Sequence, residues 1–140
     1  MKGIADTGFL VAFANRSDAC HDWAIGVAEL VTEPLLTCEP VLAEAAFHLQ
    51  SVPLVLAMVR EGLVKIDFKC NDHILQLEAL AVRYADRHPD LADLCLIRMS
   101  ELFPGHSIIT VDLQDFRIYR RNKREVIPII CPPEDKRANS

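Results

Sequence analysis

The stretch IADTGFLVAF, residues 4–13, decides the fold. Ile4-Ala5 reads as the end of a short buried strand, and Asp6 follows at once. Thr7-Gly8 then breaks the chain, and a helical apolar segment runs from Phe9 to Ala14. A strand with a carboxylate at its carboxyl end and a helix directly behind it is the opening of a β-α unit. In open α/β sheets, ligands bind in the crevice beyond those strand ends, so an acid there is well placed for chemistry. An Asp-Thr pair before a helix is equally an ordinary N-cap. The stretch alone leaves both readings open.

Working outward, the same alternation recurs. Helical patterns are predicted from Cys20 to Leu30 with Ser17 or Asp18 as the cap, from Glu39-Pro40 onward, over Leu54–Arg60, from a cap at Asn71 or Asp72 to about His88, and over Leu91–Leu102. Trp23, Val27 and Leu30 share one face of the first of these, and Pro40 sits in an opening turn, where its missing donor costs nothing. Strands are predicted at Leu35–Cys38, Leu63–Phe68, Ser107–Val111 and Val126–Ile130, the last at a sheet edge because of Pro128. Short strands alternating with helices imply right-handed crossovers and a parallel sheet covered on both faces.

The chain has 140 residues, enough for one domain with a real core. We place that domain at residues 1–131, with a polar tail over 132–140. Apolar residues make up 51% and charged residues 25%, a globular balance. No apolar run is long enough to span a bilayer. The start MKGIADTG lacks a signal-peptide core, so a cytoplasmic protein with no membrane partner is expected. Five scattered cysteines without a Cys-x-x-Cys pair read as reduced packing thiols. The net charge of −5 excludes a chain that binds phosphate backbones over its whole surface. Arg117, Arg120, Arg121, Lys123 and Arg124 nevertheless cluster, either as an RNA-backbone clamp or as a solvated basic loop.

Acids occupy four places where a crevice-facing residue is expected. Asp6 follows the first strand, and Glu44 interrupts an apolar helix face. Asp90 and Asp93 open the helix LADLCLIRMSEL three positions apart, on one side of it. Asp112 follows the strand SIITV, with Asp115 behind it. Two like charges about 4 Å apart cost on the order of 4 kcal/mol at an effective dielectric near 20. Converging carboxylates therefore need protons or a cation, and the hard ions Mg²⁺ and Mn²⁺ suit oxygen ligands better than zinc does. The acids also have mundane readings: Asp6 and Asp90 as caps, Asp112 as a turn residue, Glu44 neutralised by a nearby Arg or Lys. The histidines read as surface or packing residues, His21 being the one closest to a functional position.

These residues resemble the PIN-domain nucleases, and among them the VapC-like ribonuclease toxins of toxin–antitoxin modules. ADTGFLVAFANRSDACHDWA is similar to that family's opening strand and first catalytic acid, here Asp6, with Thr7 the hydroxyl residue beside it. LLTCEPVLAEAAFHL resembles the helix with its glutamate, matching Glu44. DLADLCLIRMSEL is similar to the helix with the third acid, Asp93, accompanied by Asp90. IITVDLQDF resembles the Thr-x-Asp-x-x-Asp-Phe motif, giving Thr110, Asp112, Asp115 and Phe116. The resemblance implies an α/β/α sandwich with a central, mostly parallel, short-stranded sheet and a Mg²⁺- or Mn²⁺-dependent endoribonuclease. Asp6, Glu44, Asp93 and Asp112 would hold the ion that activates water against an RNA phosphodiester; Thr7, Asp90, Thr110 and Asp115 are accessory. It also implies an antitoxin partner and frequent homodimers, for which exposed apolar helix faces with Trp23 and Phe47 would serve. The alternative expectation is a catalytically silent module of the same kind that binds RNA or protein.

Overall fold

The computed structural model describes residues 1–133, so most of the expected tail lies outside the described residues. Strand β1 (Gly3–Ala5) is buried on both faces and leads into helix α1 (Thr7–Ala14). Helix α2 (His21–Glu29), strand β2 (Leu35–Thr37), helices α3 (Glu39–Leu49) and α4 (Val52–Arg60) and strand β3 (Val64–Ile66) follow. Helix α5 (Ile74–Arg83) lies between two 3₁₀ turns, Cys70–His73 and Ala85–Arg87. Helix α6 (Leu91–Leu102) leads to strand β4 (Ser107–Ile109), then helix α7 (Leu113–Ile118) and strands β5 (Arg120–Arg121), β6 (Glu125–Val126) and β7 (Ile129–Ile130).

Five strands form one sheet in the order β3-β2-β1-β4-β7, and every pairing in it is parallel. Such strands are covered on both faces, which is why GIA, LLT and SII carry apolar residues without alternation. The chain moves outward from β1 through β2 to β3, then crosses back to β4 on the other side of β1. Right-handed crossovers therefore place α1–α4 on one face and α5–α6 on the other, the three-layer α/β/α arrangement the sequence predicted. The reversal makes the β1/β4 boundary a topological switch point, where parallel sheets open a crevice at their carboxyl ends. Ile4 pairs with Ile108 and Ala5 with Ile109, so Asp6 and Thr110 emerge side by side.

Three expectations are corrected. The long helix from Asn71 to His88 is broken at both ends. Phe68 stacks on His73 at 4.9 Å and holds Cys70–His73 as a tight turn, so neither Asn71 nor Asp72 caps α5. At the far end Tyr84 packs edge-on against Tyr119, 5.0 Å away, and the chain turns there. The strand expected over Val126–Ile130 is two strands. Pro128 has no N–H to donate; Glu125–Val126 before it pairs antiparallel with β5, and Ile129–Ile130 after it joins the main sheet beside β4. The third correction concerns Ser17 and Asp18, expected to cap α2. Cys20 takes the cap position, and the Asp18 carboxylate accepts from the Cys20 amide instead.

Gly8 marks the tightest approach beneath the crevice. A Cβ there would lie 2.3 Å from Cγ2 of Val111, the residue between Thr110 and Asp112. Valine has little rotamer freedom to retreat. Gly8→Ala should therefore destabilise the protein by about 1–2 kcal/mol, overpacking outweighing the better helix propensity of alanine. Urea unfolding measures this, and an unchanged or raised midpoint would refute it.

Candidate active site

Each acid of the crevice is placed by a local structural need. Asp6 caps α1, accepting from the Thr7 amide at 2.6 Å. Its other oxygen accepts from the Thr110 hydroxyl, also at 2.6 Å. Thr110 in turn accepts from the Asp112 amide at 2.8 Å, so β1 and β4 are tied together through one hydroxyl. Asp90 caps α6 by accepting from the Asp93 amide at 2.8 Å, and Asp112 caps α7 by accepting from the Asp115 amide at 3.3 Å. Cap and cluster are thus one arrangement, and three helices point their amino-terminal ends, with partial positive charge, at the same space. Glu44 enters from the middle of α3, where it accepts from the Thr7 hydroxyl at 3.1 Å. Among the described residues no lysine or arginine neutralises it in the way the mundane reading required: its partners are the Asp90 carboxyl, Thr7 and His48.

The space is a cavity of about 660 Å³ lined by seven acids: Asp6, Asp18, Glu44, Asp90, Asp93, Asp112 and Asp115. Thr7, Gly8, Val11, Ala19, His48 and Val111 complete the lining, without a lysine or arginine. Concentrated negative charge pushes the carboxyls toward their protonated forms. Burial raises Asp6 to about 6, against the Thr110 and Thr7 hydrogen bonds and with Asp112 and Glu44 adding repulsion. Burial, then Asp90, Asp6, Asp115 and Asp112, raise Asp93 to about 7. Glu44 is raised by burial and by Asp90, and Asp112 by burial and by Asp115. The arrangement stores like charge that protons or a dication must offset.

By type the donors fit Mg²⁺ or Mn²⁺, being hard carboxylate oxygens held around a polar basin. By spacing the site is open. Among the described residues no three His, Cys, Asp or Glu side chains stand together as a formed ligand cage. A basin of this kind suits an ion that keeps part of its water shell, as Mg²⁺ ordinarily does.

All four acids expected to be catalytic, Asp6, Glu44, Asp93 and Asp112, line this cavity, as do Thr7, Asp90 and Asp115 of the accessory set. Thr110 lies beneath it, fully buried. The basic cluster divides. Arg121 is 5% exposed, donates to the Ser100 carbonyl at 2.9 Å and pairs with Glu125 at 3.1 Å, so it is a structural arginine and not an RNA contact. Arg120 turns back on the α7 carboxyl end, donating to the carbonyls of Arg117, Ile118 and Tyr119. Arg117, Lys123 and Arg124 are exposed. The expected basic loop is in fact α7 and the β5–β6 hairpin, with Asn122 and Lys123 in the left-handed region at the turn. His21 is excluded from the site: its Nδ1 donates to the Ala12 carbonyl at 2.7 Å and fastens α2 to α1.

Sequence reasoning passed over three neighbours. His48 lies four residues after Glu44, one helical turn on the same face, and that spacing was the available signal. Asp18 reaches the cavity from the turn before α2, and no pattern announces it. Tyr119 is buried and directs its hydroxyl at Asp93, 3.4 Å away; burial and the Asp93 charge raise its pKa.

No family model matches the chain, and no curated protein matches it.

Proposed function

We propose that the chain is a divalent-metal-dependent endoribonuclease of the PIN-like, VapC-like kind, the toxin of a toxin–antitoxin module. The observation that carries this reading is the meeting of acids from β1, α3, α6 and α7 in one basin at the β1/β4 switch point. So much paired charge destabilises the folded chain unless it serves to hold a cation. Mg²⁺ or Mn²⁺ held by Asp6, Glu44, Asp93 and Asp112, directly or through water, supplies an electrophile for a phosphoryl oxygen and acidifies water when bound.

The chain's own residues do the positioning. Thr7 and Thr110 hold both oxygens of Asp6, so its carboxylate cannot rotate away from the basin. The Asp90 cap fixes the first turn of α6 and with it Asp93. Asp115 does not displace Asp112; its amide anchors the Asp112 carboxylate. Arg117, on the helix that begins at the basin, and Lys123 and Arg124 at the hairpin turn are the cations left to contact an RNA backbone.

Partners follow from the surface. Phe47, 78% exposed, and the exposed Val52 line one shallow surface cleft on α3–α4, an apolar patch suited to a second copy or an antitoxin segment. Trp23 is not part of it, since it packs edge-on against Phe9 at 6.0 Å. Among the described residues no helix is long and apolar enough to cross a membrane.

One observation favours the silent alternative: the acids stand open and not as a closed cage. Incubation of the purified chain with single-stranded RNA decides between the two. We expect fragments in Mn²⁺ or Mg²⁺ and none in excess chelator. Cleavage in chelator rejects the mechanism. RNA retained but uncut in every metal supports the silent module.

A further inference from the structure

We propose that Cys70 and Cys95 form a redox modification site, a dithiol that a peroxide converts to an intramolecular disulfide. This inference is independent of the nuclease reading. The two Sγ atoms lie 3.5 Å apart, although 25 positions separate the residues in the chain. A disulfide requires roughly 2 Å between sulfurs, so closure needs a shift of only about 1.5 Å. One partner is placed to make it. Cys70 opens the four-residue 3₁₀ turn before α5, whereas Cys95 is fully buried within α6.

Access is also one-sided. Cys70 is partly exposed and lines a surface cleft of about 350 Å³ with Glu39, Pro40, Ala43 and Phe68. A small oxidant entering that cleft meets Cys70 and not Cys95. The Cys70 thiolate attacks one peroxide oxygen, the O–O bond breaks, and the departing hydroxide leaves as water after taking a proton. Cys70 is then a sulfenic acid. The Cys95 sulfur attacks the sulfenic sulfur, the S–O bond breaks, and a second water leaves with the Cys95 proton as the S–S bond forms. Two thiols lose two electrons and two protons, and one peroxide becomes two waters.

Cys38 also hydrogen-bonds Cys95, but it is fully buried and cannot be oxidised first. A soft-metal thiolate site is the other use of three neighbouring sulfurs. Among the described residues they do not group as one.

The test is non-reducing peptide mapping of the full chain after mild hydrogen peroxide treatment. We expect a Cys70–Cys95 peptide pair lacking two hydrogens, restored by dithiothreitol, and still formed in Cys38→Ala. Cys70→Ser should leave Cys95 as a thiol under the same exposure. The bridged protein should melt roughly 5–10 °C above the reduced one, since the link closes a long loop. A Cys38–Cys95 bridge, oxidation of Cys70 to the sulfinic acid without bridging, or no reaction of either thiol overturns the proposal.

Discussion

Asp6→Asn should lower RNA cleavage in Mn²⁺ by at least roughly 10²–10³-fold, the scale seen when one electrostatic group of a preorganised site is removed. The same variant should be more stable than the original protein in chelator near pH 7.5. Asp6 is buried, and keeping it ionised there opposes folding by about 3 kcal/mol, given a pKa raised from 3.8 to about 6. Asparagine removes that term. It also gives up one hydrogen bond, since an amide cannot accept from both the Thr7 amide and the Thr110 hydroxyl as the carboxylate does. That loss is about 1 kcal/mol. A variant that loses activity while gaining stability separates a functional acid from a structural cap. Full activity in Asp6→Asn rejects the catalytic assignment, and a strongly destabilised Asp6→Asn rejects the electrostatic one.

The second large effect is on the pH dependence of the metal-free protein. Asp6 and Asp93 are both raised, to about 6 and about 7, so between pH 4 and pH 7 the folded chain binds more protons than the unfolded one. Stability is then highest below the unfolded carboxyl pKa and falls as pH rises, the loss becoming complete above the folded values. Asp6 accounts for about 3 kcal/mol of this. Asp93 is more open to solvent, so it adds less than its displacement implies. Melting followed from pH 4.5 to pH 8 in chelator should fall by roughly 5–10 °C. Excess Mn²⁺ should recover most of the loss near neutrality and little below pH 5, because the ion competes with protons for the same oxygens. A melting temperature that rises over this range in chelator would contradict the account.

Much of this was legible in the residues. The triplet GIA followed at once by Asp6 placed β1 and its carboxyl end, SIITV located β4 but ran two residues past its end at Ile109, and Leu91–Leu102 emerged with the bounds its capping Asp90 sets. The acids were legible because a charge on an apolar face, like Glu44, has no ordinary reason to be there. What the sequence hid was tertiary. Arg121 looks like its neighbours in RIYRRNKR, yet packing against Ser100 buries it, and no local pattern reports that. The break at His73 depends on Phe68 stacking, and the division at Pro128 depends on which strand each half meets. Tyr119 joins the site only because α7 turns back toward α6.

The most direct measurement is calorimetric titration of the full chain with Mn²⁺ at pH 6.5, repeated in buffers of different ionisation enthalpy. The account predicts saturable binding accompanied by proton release, because Asp93 and part of Asp6 carry protons there before the ion arrives. Asp6→Asn and Glu44→Gln should each weaken it severalfold or more. Absence of binding heat in every buffer, with the protein folded and Mn²⁺ in excess, would contradict the claim that this acidic basin is a dication site.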